Sequence, residues 1–267
     1  MKMMHTQIPI FGGLMTALAL LLAWPVVADA QHVVLTDGRR IEGTAIRARA
    51  NGDVILTTAR GDVTFTRDQY REAWAPRPAA MDQARQHLQA RRFDQVISTV
   101  EGVVREFRHL GWDQEALVLI GRANNGKGDH AAALSSFDRL FQNAPHRRED
   151  PNVRWHYFRA LLGAEELSRL GGYLNDVIAS GERSEAARAQ VMRGDMKVQR
   201  GLAEEGLLDY LRTVVLFRAQ RDVQAEALFK AGEALEEMRD QRARDMFRKV
   251  VEQYGDSPYA SRARAKL

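Results

Sequence analysis

The sequence predicts a protein that is α+β by segments and predominantly α, with a small β module at residues 31–78 and helical repeats over residues 79–267. Two observations support this prediction. Short runs rich in Val, Ile and Thr alternate with Gly-containing turns in the first region, whereas apolar residues recur every three or four positions in the second. The 267 residues include no cysteine, which excludes disulfide bonds, thiolate zinc sites and a thiol nucleophile.

Residues 1–30 have the pattern of a secretory signal peptide. Lys2 precedes an apolar run at residues 8–27, and Ala28-Asp29-Ala30 provides the small-x-small pattern that signal peptidase requires. Cleavage after Ala30 would leave a chain without a further apolar stretch of transmembrane length, and would place it in the periplasm or, alternatively, outside the cell. The competing interpretation is an uncleaved anchor, because about twenty apolar residues are enough to span a bilayer. The expected location in a bacterium is the periplasm.

The region 31–78 has the pattern of short antiparallel strands. Asp37-Gly38, Asn51-Gly52 and Arg60-Gly61-Asp62 separate the apolar runs at intervals of about ten residues, which is typical of tight hairpins. Four strands, with a fifth near residues 72–75, are expected to curl into a small barrel. The hairpin spacing resembles a Src-homology-like or Sm-like barrel. Arg60-Gly61-Asp62 also matches the integrin-binding tripeptide, although a hairpin turn is sufficient to explain it.

One helical segment defines the frame of the repeats. Its characteristic positions are Leu117, Ile120, Gly121, Gly128, Ala133, Phe137, Leu140 and Pro145. The frame recurs around Gly194 and again around Gly232. This spacing resembles the tetratricopeptide repeat, a helix–turn–helix unit of roughly 34 residues. Weaker copies around Phe93 and Gly163 bring the total to about five units, and the second helix of the Gly163 unit, at residues 173–178, is expected to be truncated.

The closing stretch at residues 243–254, followed by Ser257-Pro258-Tyr259-Ala260, resembles the repeats of bacterial cell-envelope proteins. These proteins include the outer-membrane barrel-assembly lipoprotein and the Tol–Pal-associated periplasmic protein. The resemblance implies a protein that binds other proteins and has no catalytic residues. This chain differs from the lipoprotein in lacking cysteine, and it has a β module where the Tol–Pal relative has a coiled coil.

The sequence predicts no catalytic, cofactor or metal site. Residues 121–128 match a phosphate-binding P-loop up to Lys127, but Gly128 stands where Ser or Thr must hold magnesium, and the segment continues a helix. The histidines show neither an HExxH motif nor close pairing at helical spacing. Basic residues outnumber acidic ones only by 39 to 35, and no basic run with interleaved aromatic residues indicates nucleic-acid binding. We therefore expect no enzymatic activity, no small-molecule substrate and no nucleic-acid partner.

Protein binding is expected on the concave face of the helical array, because curved repeat arrays present an extended groove. The first helices of three units are expected to place six residues on this face: Val118, Arg122, Val191, Asp195, Phe229 and Glu233. Arg122 and Phe229 are the expected anchors, since one can pair with carboxylates and the other can bury apolar area. The Lys and Asn of the clamp with which some tetratricopeptide repeats hold a C-terminal carboxylate are missing from these positions.

The function predicted from the sequence is a periplasmic, non-enzymatic scaffold that binds envelope proteins, accessory to a Tol- or TonB-type system or to outer-membrane assembly. Two alternatives stay open. The β module could bind peptidoglycan or a polysaccharide, with Tyr70 and Trp74 stacking on sugars. An envelope enzyme would instead need chemistry within the β module, whose sequence contains no cluster of His, Asp and Glu.

Overall fold

The computed structural model describes residues 31–267, so the signal-peptide prediction for residues 1–30 lies outside the described part. Six β-strands occupy the beginning of the described chain, and eleven α-helices follow from Ala79 onward. The described residues are thus predominantly helical, as the sequence predicts. None of the helices in this part combines the length and the apolar composition that crossing a membrane requires.

The strands form two antiparallel sheets of three strands each. Their bounds are β1 Gln31–Leu35, β2 Arg40–Gly43, β3 Ala45–Ala48, β4 Val54–Thr58, β5 Gly61–Phe65 and β6 Tyr70–Trp74. The strand order is β2–β1–β6 in one sheet and β3–β4–β5 in the other. Residues 41–50, the apolar run between the predicted turns at Gly38 and Gly52, therefore do not form one strand. The run bends at Thr44, whose N–H donates to the carbonyl oxygen of Thr57, and passes from the first sheet into the second.

The predicted closed barrel is not confirmed. Strand pairing within residues 31–267 leaves two small open sheets, because the bend at Thr44 ends the pairing of β2 with β1 before β3 pairs with β4. Gly43 allows this passage, since a Cβ atom there would lie 2.4 Å from the carbonyl oxygen of Thr57. Side chains such as Val33 and Leu56 belong to one common apolar cluster.

The helices form five successive hairpins, and α11 packs at the end of the array. Their bounds are α1 Ala79–Gln89, α2 Phe93–Glu106, α3 Trp112–Lys127, α4 His130–Asn143, α5 Pro151–Gly163, α6 Leu167–Ser180, α7 Arg183–Gln199, α8 Ala203–Leu216, α9 Arg221–Glu237, α10 Ala243–Gln253 and α11 Pro258–Arg264. The first helices of neighbouring hairpins pack on one another at three places, α1 on α3, α3 on α5 and α7 on α9, and the third and fourth hairpins meet mainly through α6 and α7. This arrangement, in which each hairpin packs on its sequence neighbours, is a helical solenoid.

In three hairpins, a glycine on the first helix leaves room for an aromatic ring of the second helix. The pairs are Gly121 with Phe137, Gly194 with Tyr210, and Gly232 with Phe247. A Cβ atom on any of these glycines would lie 2.3–2.6 Å from the ring, well inside van der Waals contact. The glycines that define the sequence frame therefore mark a packing contact that repeats along the array.

The hairpin α5–α6 departs from this frame, and two predictions about it are wrong. Gly163 is the last residue of α5, and a Cβ atom there would meet the ring of His130 instead of a ring on α6. Tyr157 and Tyr173 have the same sequence separation as Gly121 and Phe137, and their ring centroids lie 5.8 Å apart. The second helix α6 is not truncated, since it has 14 residues, as many as α4.

The β module packs directly on the first helical hairpins. A single apolar cluster contains Val33 of β1 together with helix residues from Met81 onward. Trp112, at the start of α3, donates from Nε1 to the carbonyl oxygen of Ala75 at 2.7 Å. The ring of Trp74 meets Trp112 edge to face, with centroids 5.3 Å apart. The β module thereby covers apolar surface that the first hairpins of a repeat array would otherwise expose.

Candidate functional site

The six residues predicted to line the partner-binding face do not form one exposed surface. Val118, Val191 and Phe229 are buried, with relative exposures of 7%, 2% and 1%. The ring of Phe229 packs on Phe247 of α10, with centroids 5.5 Å apart, and the guanidinium group of Arg262 covers it. Phe229 is therefore a core residue, because its ring fills the space between helices. This corrects the expectation that it is free to anchor a partner.

Two further residues of the predicted set, Asp195 and Glu233, are partly accessible but already paired. Asp195 accepts hydrogen bonds from Nζ of Lys230 at 2.6 Å and from the hydroxyl of Tyr210 at 2.8 Å. Burial raises the pKa of Asp195, against the opposing effect of the Lys230 ammonium group. Glu233 forms an ion pair with Arg262 at 3.3 Å. Both carboxylates thus act within the array.

Arg122, the remaining member of the predicted set, is exposed on α3, close to a contact between α3 and the next first helix, α5. The side-chain amide of Asn125 donates to the carbonyl oxygen of His156 at 2.8 Å and so links α3 to α5. Arg122 precedes Asn125 by three residues, and Arg159 follows His156 by three. Because residues three apart are neighbours on a helix surface, both arginines lie within one turn of this link.

Arg188 on α7 adds a third guanidinium group. Its Cζ atom lies 4.3 Å from the ring centroid of Trp155 on α5, over the ring face that attracts cations. Nε1 of the same indole donates to the carboxylate of Glu185 on α7 at 3.0 Å. These contacts hold α7 against α5, and Arg159 lies one helical turn beyond Trp155. We refer to Arg122, Arg159 and Arg188 as the arginine cluster.

His156 lies in the field of all three arginines. Burial, followed by the charges of Arg122, Arg159 and Arg188, lowers the pKa of His156 to about 4, so its imidazole is neutral at pH 7. Burial also lowers the pKa of Arg122 and of Arg188, although both stay protonated. Within residues 31–267, no member of the arginine cluster forms an ion pair with a carboxylate. The cluster is a partly desolvated site with three positive charges.

A second group of basic side chains, in the hairpin α7–α8, forms ion pairs with a buried carboxylate. The carboxylate of Asp209 is fully buried and pairs with Arg193 at 2.9 Å, with Lys197 at 3.0 Å and with Arg212 at 2.9 Å. Burial opposes ionisation here, but the hydrogen bonds from Arg193 and Lys197 prevail and lower the pKa of Asp209. Asp209 thus forms ion pairs with these cations, whereas the arginine cluster has no ion pair with a carboxylate within residues 31–267.

The sequence frame misses Arg159 and Arg188. Tyr157 occupies the place of the frame glycine in the hairpin α5–α6, so the repeat alignment that selects Arg122 does not extend to Arg159. The signal that could have identified both residues is an arginine on each of three successive first helices, combined with the excess of arginine over lysine.

The aromatic residues considered for sugar stacking serve the packing of the β module. Tyr70 is 3% exposed, and its hydroxyl donates to the carbonyl oxygen of Gly52. Trp74 packs against Trp112 and so closely against Gly111 that a Cβ atom there would lie 2.5 Å from the indole. Both rings are thus engaged within the fold.

Residues 121–128 form the end of α3 and its cap instead of a phosphate-binding loop. Gly121 to Lys127 are helical, so their N–H groups bond within the helix, and Gly128 ends it with a φ of +81°. Nζ of Lys127 pairs with the carboxylate of Asp94 on α2. Over residues 31–267, no group of three or more His, Cys, Asp or Glu side chains is arranged to hold a metal ion.

Comparison with known proteins identifies the repeat. Residues 226–257 match the family model of the tetratricopeptide repeat. The fold is similar to that of MamA, residues 41 to the end, from Desulfovibrio magneticus RS-1, with a TM-score of 0.50 and 19% identity over 67% of this chain and 95% of that one. YrrB, described as a TPR protein with an unusual peptide-binding site, gives a TM-score of 0.46 and 16% identity over 70% of this chain and 91% of that one. No curated protein matches the chain in sequence.

The matched segment covers most of the hairpin α9–α10, including the contact of Gly232 with Phe247. The same glycine–aromatic contact occurs in the hairpins α3–α4 and α7–α8. The predicted resemblance to the tetratricopeptide repeat is therefore confirmed.

Proposed function

We propose that this protein is an exported, non-enzymatic scaffold of the cell envelope that binds another protein on the surface formed by its first helices. The tetratricopeptide-type fold supports a role in protein–protein interaction. The arginine cluster is the observation that carries the proposal, because α3, α5 and α7 each place near His156 a guanidinium group that has no ion pair within residues 31–267. A charged surface of this kind attracts and orients a partner of opposite charge.

A periplasmic location is part of the proposal. The signal-like pattern of residues 1–30 supports export, with cleavage after Ala30 and with secretion as the alternative destination. The resemblance of residues 243–254 to envelope repeats supports an accessory role beside a Tol- or TonB-type system or in outer-membrane assembly. Binding of peptidoglycan or polysaccharide through the β module is the competing function, and the packing of Tyr70 and Trp74 weighs against it.

Affinity purification from the envelope fraction tests the scaffold function. We expect the tagged protein to retain a specific envelope protein, and the double variant Arg122→Glu/Arg159→Glu to lose it without a change in melting temperature. Arg139→Glu is the matched control, because Arg139 is an exposed arginine on the second helix α4, in a cleft with Arg105 and Arg108. Loss of the partner in the control but not in the double variant would place the binding surface on the second helices.

A further inference from the structure

We propose that the arginine cluster binds a carboxylate-rich segment of the partner protein. This inference rests on the proposed scaffold function and names the chemistry that the segment must have. The site consists of Arg122, Arg159 and Arg188, with the neutral imidazole of His156 among them.

The arginine cluster has no ion-paired counter-charge within residues 31–267, since Glu115 acts on Arg122 without forming an ion pair with it. The surrounding protein reduces the hydration of Arg122 and Arg188. Like charges held together in this way repel one another, and the charge of Arg159 acts on Arg188 in this sense. Carboxylates relieve the repulsion and suit the planar guanidinium group, which can donate two parallel hydrogen bonds to one carboxylate.

The arginine cluster extends over three first helices. α3 packs directly on α5, α7 contacts α5 through the side chain of Trp155, and packed helices are about 8–10 Å apart. The cluster therefore spans about 20 Å across the helices. An extended peptide rises about 3.3 Å per residue, so about six or seven residues cover this distance. A segment with several Asp or Glu residues within that length can reach all three arginines.

Nearby acidic groups favour a short protein segment over a continuous polyanion. Glu185 and Glu226 act on Arg188. Further along α7 and α9, acidic groups outnumber basic ones in a cleft of about 320 Å³, whose charged lining residues are Asp195, Lys230, Glu233 and Glu237. A nucleic acid or a sulfated polysaccharide carries negative charge along its whole length and would extend over these carboxylates. An acidic peptide segment can end, or change charge, before it reaches them.

Fluorescence anisotropy with a labelled peptide tests the inference. The probe is a ten-residue peptide in which Asp alternates with Ser, and the control peptide carries Asn in place of each Asp. We expect the purified protein to bind the Asp peptide saturably and the Asn peptide at least tenfold more weakly. Each of Arg122→Gln, Arg159→Gln and Arg188→Gln should weaken binding about fivefold, whereas Arg139→Gln should leave it unchanged. Circular dichroism of each variant verifies that the helices are retained.

Three results would overturn the inference. These are equal binding of the Asn peptide, unchanged binding by the Arg122→Gln/Arg159→Gln double variant, and binding of heparin together with failure of the Asp peptide. If the Asp peptide fails while an envelope protein still co-purifies through the first-helix surface, the scaffold function stands and only the acidic segment is wrong. If the Asp peptide binds as expected but no envelope protein co-purifies, the scaffold function is the part that fails.

Discussion

Replacing Gly194 with alanine would place a Cβ atom 2.3 Å from Cε1 of Tyr210. The ring cannot easily retreat, because it is buried and its hydroxyl donates to Asp195 at 2.8 Å. Overpacking of this kind typically costs about 1–3 kcal/mol. Alanine also gains about 1 kcal/mol of helix propensity over glycine. The free energy of unfolding is therefore expected to fall by about 0–2 kcal/mol.

A second glycine separates the two effects. Gly172 lies inside α6, is exposed, and a Cβ atom there would meet nothing within 4 Å. Gly172→Ala should therefore raise the free energy of unfolding by up to about 1 kcal/mol. Because the propensity gain is common to both variants, their difference should equal the overpacking cost of about 1–3 kcal/mol. Urea denaturation followed by circular dichroism measures this difference. If Gly194→Ala is as stabilising as Gly172→Ala, the close packing of α7 on α8 is refuted.

Three further predictions concern buried polar groups. Asp209→Ala should lower the free energy of unfolding in urea by about 3 kcal/mol, because it leaves the surrounding cations without their buried counter-charge. His156 should titrate near pH 4 in NMR spectra, and stability should fall as the pH drops from 6.5 toward 4, since the unfolded chain binds a proton that folded His156 does not. Arg122→Gln should raise the pKa of His156, because it removes one of the positive charges that lower it. Trp112→Phe should cost about 1–2 kcal/mol in the same urea assay, because the carbonyl oxygen of Ala75 loses its buried donor.

The helical fold was largely predictable because its determinants are local. Gly121, Gly194 and Gly232 recur in the sequence at the positions where the first helix must let an aromatic ring approach. The repeat frame was placed wrongly in the hairpin α5–α6, because Tyr157 stands where the other hairpins have the glycine. There the ring of Tyr157 packs against the ring of Tyr173. The two open sheets were not predictable from hairpin spacing, since spacing determines which neighbouring strands pair but not how the sheets meet.

The candidate site was only partly predictable from the sequence, for a different reason. Helical periodicity predicts that Phe229 lies on an apolar face, but a first helix packs on its own hairpin and on its neighbours. Periodicity alone therefore cannot distinguish the hairpin core, where Phe229 packs on Phe247, from the open face. Arg122, selected from the same repeat positions, is exposed, because a long cation seldom enters a core. The convergence of Arg159 and Arg188 on His156 depends on contacts between hairpins that are distant in sequence.

Site-specific photo-crosslinking in bacteria that produce the full chain tests most directly the claim that the first helices form the binding surface. A benzophenone amino acid is placed at Arg159 on α5 and, in a separate strain, at the control position Arg139 on α4. The account predicts a discrete adduct with one envelope protein from position 159 and none from position 139. An adduct from position 139 alone, or equal adducts from both positions, would contradict it.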